Sequence, residues 1–167
     1  MNQTFPIPEV AERLVALAMS AAQEENMSFF EARYNSAETL TADSINTEGD
    51  ILKLLYAAYV DAAVLMLGSE CVCPYSSFVS DEMLHWARCE LVAFSTLHED
   101  IERFVSERWN GEVGSTSHVF DIVAEWLSTR LLKEPNGTAV ETFCTHFRKM
   151  KIKAISLIDE YFHTAEE

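Results

Sequence analysis

The chain has 167 residues, 49% of them hydrophobic and 23% charged, a composition suited to one helical or mixed domain with a filled core. Its formal net charge is −15. A field of that sign repels nucleic acid phosphates and anionic membrane, and favours a basic protein surface as partner. The charge is uneven. Residues 126–167 hold six basic and six acidic side chains, while residues 1–125 hold six basic against twenty-one acidic.

Met1–Glu9 has no basic residue and no apolar run, so a cytoplasmic location is expected. Ile7, Pro8 and Glu9 open a first helix, with proline where a missing N–H is harmless and Val10, Leu14, Leu17 and Ala21 as its inner stripe. Gln23–Asn26 is expected to let it fade. Ser28 with Glu31 then forms a capping box for a shorter helix carrying Phe29, Phe30, Ala37 and Leu40. A third helix is expected from Thr47 or Glu48 to Leu67, stopped by Gly68. Lys53 and Asp61 interrupt its apolar run, so it reads as an engulfed helix and not a membrane span, with Lys53, Ala57 and Asp61 on one narrow line.

Gly68–Ser80 reads as a long connection containing Cys71, Cys73, Pro74, Tyr75 and Phe78. Ser80–Asn110, free of proline and glycine, reads as one long helix apolar on two sides of its first half. Leu84, Ala87, Leu91, Phe94, Ile101 and Val105 form one face, and Trp86, Cys89, Val92 and Ala93 the other. After a glycine and serine turn, Ser117–Lys133 forms a helix on Val119, Val123, Trp126, Leu127 and Leu131. Pro135–Gly137 breaks it. Thr138 and Glu141 cap a last helix to about His163, whose Val140, Phe143, Phe147, Met150, Ala154, Leu157 and Tyr161 repeat at 3, 4 spacing. No stretch alternates with period two. The fold class is therefore all-α, a single-domain bundle of five or six helices over residues 1–167 with a long central helix near 80–110.

Motifs for phosphate loops, dinucleotide folds, zinc proteases and serine hydrolases are absent from the sequence. Glu82 with His85 and Glu160 with His163 both match E-x-x-H, the inward-facing ligand pair of di-metal bundles. His163, however, falls off the seam of the last helix. A tighter constellation is C-x-C at Cys71 and Cys73 followed by His85 and Cys89 at i, i+4, a candidate structural zinc site. The same residues also suit two other roles. They can be packing thiols beside a hydrogen-bonding histidine, or a loop thiol activated by His85 with Glu82 or Glu90 orienting it. Arg148, Lys149, Lys151 and Lys153 form a basic cluster off the seam, read as a solvated face, and Trp109 and Trp126 suit either anchoring or packing. All four cysteines, Cys144 included, are expected as thiols.

The expected function is a non-enzymatic, acidic protein-binding module, an inhibitor or immunity or antitoxin-like protein that takes a basic protein partner. It needs no cofactor and makes no direct contact with nucleic acid or membrane. Glu24, Glu25, Glu31, Glu38, Asp43, Glu48 and Asp50 crowd one early segment and form the candidate partner surface. The alternatives are a helical protein with zinc on Cys71, Cys73, His85 and Cys89, or a helical homodimer whose third helix completes its burial against a second copy.

Overall fold

Apolar positions at helical spacing resolve into six helices, α1 (Ile7–Tyr34), α2 (Glu48–Glu70), α3 (Ser76–Glu90), α4 (Phe94–Arg108), α5 (Thr116–Leu131) and α6 (Gly137–Glu166), and the described residues contain no strand. The computed structural model describes residues 6–34, 48–70, 76–108, 116–131 and 137–166; side chains are described over 6–24, 52–67, 77–108, 119–130 and 140–161. The chain is an all-α bundle, as its periodicity predicts.

Pro6 opens α1 by accepting the Val10 N–H at 3.0 Å, which leaves Pro8 in the first turn, where it interrupts no helical bond. Val10, Leu14 and Ala18, with Ala11, Val15 and Ala22 beside them, form the buried face. Leu17 and Ala21, expected on the inner stripe, lie at its edge and are partly buried. The expected fade at Gln23–Asn26 does not occur, and the backbone stays helical to Tyr34. No glycine or proline falls between Pro8 and Gly49, and glutamine, glutamate and methionine are good helix formers. A capping box without a breaker does not end a helix.

The organising element is α2. It packs against all five other helices, and every residue from Leu55 to Ala63 is buried. Alanines at 57, 58, 62 and 63 let neighbouring backbones come close, matching the small residues of α1. Gly68 does not stop it, since one internal glycine costs only about 1 kcal/mol and the helix continues to Glu70. Lys53, Ala57 and Asp61 do not share a solvent line: Lys53 is exposed, whereas Ala57 and Asp61 are buried. α2 thus obtains its burial from helices of its own chain.

Over the described residues 80–108 the expected single helix is two, α3 ending at Glu90 and α4 starting at Phe94. The Leu91 N–H still reaches Ala87 O at 2.9 Å, then Phe94 N–H bonds Leu91 O at 3.0 Å and Leu97 N–H bonds Ala93 O at 3.2 Å to start α4. No breaker residue causes this. α3 packs on α1 and α2 while α4 packs on α2 and α5, two sets of neighbours that one straight rod could not meet. The expectation of two apolar faces holds only in part, since Trp86 and Ala93 of the second face are half-buried and Trp86 packs against the core. Val79, Met83 and Ala87 are buried on α3, but Cys89 is exposed and Val92, at the corner, is 98% exposed. The long connection shrinks too, because Gly68–Glu70 belongs to α2 and Ser76–Val79 to α3.

α5 and α6 follow the expected pattern closely. Phe143, Phe147, Met150 and Ala154 are buried along the seam of α6, and Val119, Val123, Trp126 and Leu127 along α5. Phe147 stands edge-on to Tyr59 of α2, with centroids 4.8 Å apart, and tilts against Phe120 of α5 at 5.7 Å. Trp126 is packing: it is 1% exposed, and its indole N–H donates to Asp100 Oδ2 at 2.9 Å. Arg130 also bonds Asp100, and Arg108 meets Glu125 at 2.8 Å, so polar pairs fasten α4 to α5 around an apolar seam.

Candidate functional site

A carboxylate placed in an apolar run must find a partner, because desolvating it alone is costly. Asp61, in the middle of α2, finds His98 on α4. Asp61 Oδ1 lies 2.6 Å from His98 Nδ1, and the other ring nitrogen lies 3.1 Å from Glu102 Oε1, one turn further along α4. The two residues are 2% and 7% exposed. Phe94 stacks on the imidazole, with centroids 5.5 Å apart and planes 15° from parallel.

Burial pushes the Asp61 carboxyl up to about 6, a rise that the hydrogen bond to His98 and its charge hold back and the Glu102 charge adds to. Burial opposes a charged His98, but its hydrogen bond to Asp61 and the charges of Asp61 and Glu102 outweigh that and the opposing Arg88, so its pKa is raised. An imidazole with a carboxylate at each nitrogen has neither nitrogen left to take a substrate proton. The arrangement is a clamp between α2 and α4 that holds a proton. Sequence reading did not single out His98; the available signal was Asp61 itself, whose isolation among apolar residues demanded a buried partner.

The sequence-derived candidates fare differently. His85 and Cys89 come together, with Cys89 Sγ 4.0 Å from His85 Nε2, both exposed on α3. Cys71 and Cys73 lie outside the described residues, and no group of three potential metal ligands occurs among the described ones. Glu82 is half-buried, while the side chain of His163 lies outside the described set, as does Trp109. Of the acidic surface, Glu24 is exposed near the middle of α1; the side chains of Glu25, Glu31, Glu38, Asp43, Glu48 and Asp50 fall outside the described residues. Cys144 is buried, its thiol donates to Asp121 Oδ1 at 3.0 Å, and burial with that bond pushes its pKa up to about 12, which makes it a packing thiol that ties α6 to α5.

The basic cluster of α6 is better furnished than its spacing suggests. Lys149 and Lys153 face a cleft of about 190 Å³ against α1, with His146, Ser20, Glu24 and Tyr59 also lining it. Two lysines converge there in a strongly acidic chain, although Glu24 offsets part of their charge. No described helix is long and apolar enough to cross a membrane. No family model matches the chain, and no curated protein or solved structure is significantly similar to it.

Proposed function

We propose that the chain is a non-enzymatic helical binding protein whose acidic surface takes a basic protein partner, as an inhibitor or immunity-type protein does. The observation that carries this reading is a set of exposed carboxylates with no internal use. Asp81, Glu90, Glu99 and Glu107 are exposed and form no ion pair among the described residues, in a chain of net charge −15. Unpaired surface carboxylates keep their whole field for an incoming cationic surface, raising the association rate and fixing orientation. A partner captured at low salt and purified is expected to lose about tenfold in affinity between about 50 mM and about 300 mM salt, mostly through slower association. Glu99→Lys combined with Glu107→Lys is expected to weaken it further. Affinity that does not change with ionic strength would sink this reading.

A second reading rests on the approach of Cys89 to His85 at 4.0 Å. Zinc bonded tetrahedrally to one thiolate and one imidazole holds the two donor atoms about 3.6 Å apart, so a small side-chain movement would admit the ion. Cys71 and Cys73, five and three residues before Ser76 where α3 begins, would complete the set. Purified protein should then carry one equivalent of zinc, and a chelator should lower its melting temperature. Metal analysis that finds none disposes of it.

A further inference from the structure

A neutral imidazole has one N–H and can donate to one carboxylate only. His98 has Asp61 at one nitrogen, 2.6 Å away, and Glu102 at the other, 3.1 Å away, so both contacts close only while the three groups share a further proton. Losing it turns a ring lone pair toward a carboxylate. The Glu102 side chain, 63% exposed, can then swing into water. Asp61 cannot, because it is buried in α2 and its Oδ2 has no hydrogen-bond partner among the described residues. Deprotonation therefore leaves a buried carboxylate facing a neutral ring, a costly state that water relieves once it can enter.

α4 is placed to let it enter. It packs on α2 and α5, meets α3 at the corner of 91–93, and has no packing on α1 or α6 among the described residues. Its buried side chains are Phe94, His98, Ile101 and Val105, about one per turn, and His98 is the polar one. Its ties to α5, Asp100 with Trp126 and Arg130 and Arg108 with Glu125, run along a partly exposed rim, where ion pairs contribute little. The corner itself is not helical, and Val92 there is 98% exposed, so a rotation about it disturbs no packing of its own.

We propose that α4 is a flap latched by a proton: it lies on α2 while Asp61, His98 and Glu102 share that proton, and it lifts about the corner at 91–93 once the proton is lost. Burial opposes a charged His98, but its bond to Asp61 and the charges of Asp61 and Glu102 raise its pKa, with Arg88 of α3 opposing them. Tyr56 of α2, edge-on to Phe94, stays neutral throughout, since burial and the Glu90 charge push it up to about 12. The charged groups of α5 at this seam, Arg130 and Glu125, bond Asp100 and Arg108. A ring whose pKa is raised in the closed state releases its proton on opening, so opening grows as pH climbs above the ordinary histidine value and levels off above the native one.

Native-state amide exchange on the intact chain, from about pH 6 to about pH 8 in low urea and corrected for intrinsic rates, tests this. The amides of Ile101, Phe104 and Val105 are expected to exchange through an opening that depends little on urea and that Val60 of α2 and Phe147 of α6 do not share. Its equilibrium constant should rise by up to about tenfold per pH unit, the limit for one proton. In the Asp61→Val, His98→Leu double variant that rise should vanish. Exchange of α4 only together with α2 and α6, an opening that does not vary with pH, or a rise that survives in the double variant would each overturn the proposal. The first two outcomes need no substitution, so they decide it whatever the double variant does to folding.

Discussion

Replacing His98 by alanine is expected to destabilise the fold by about 3 kcal/mol at neutral pH, more than any surface change, because it leaves Asp61 buried without its counter-charge. The pair itself need not be a large net source of stability, since drawing both groups out of water offsets most of their attraction. Asp61→Val together with His98→Leu should therefore recover most of the loss, and urea unfolding of the two single variants and the double variant measures this directly. A cost below about 0.5 kcal/mol for His98→Ala would show that the clamp is not holding α4.

The pH dependence follows with a definite sign. The native Asp61 pKa is raised from 3.8 to about 6, so its contribution is complete below the unfolded value and is lost as pH rises through about 6. His98, also raised above 6.5, contributes fully below that value and loses its contribution as pH climbs through the native one. Both groups thus make stability fall with rising pH from about 4 to beyond neutrality, opposite to the usual salt-bridged carboxylate. Glu102 and Arg88 modulate the window from α4 and α3. Comparison with the double apolar variant isolates the pair, because the remaining titrations are shared.

Phe147→Ala carries the other large expected effect, a loss of about 3 to 5 kcal/mol. Phe147 is fully buried where α6 meets α2 and α5, edge-on to Tyr59 and tilted against Phe120, so its removal opens a cavity bordered by three helices that cannot all close on it. Phe147→Leu should cost about 1 to 2 kcal/mol, since it keeps most of the volume. Ile152→Ser, five residues on but 68% exposed, should stay within about 0.5 kcal/mol. A comparable cost for Ile152→Ser would mean that the seam of α6 had been assigned to the wrong face.

The all-helical class, the seam of α6 and the buried stripe of α5 are legible in the sequence because each depends on spacing along a single helix. Phe143, Phe147, Met150 and Ala154 fall on one face by the 3.6-residue turn alone, whatever surrounds them. The acidic charge of residues 1–125 is likewise a property of composition. Two features were decided only by tertiary packing. The corner at 91–93 has no glycine or proline to announce it, since it arises from the different neighbours of α3 and α4. Asp61 meets a histidine 37 residues away, a contact set by how α4 lies on α2 and not by local pattern. Local periodicity tells which face of a helix is buried, but only the assembled bundle determines what each face is buried against.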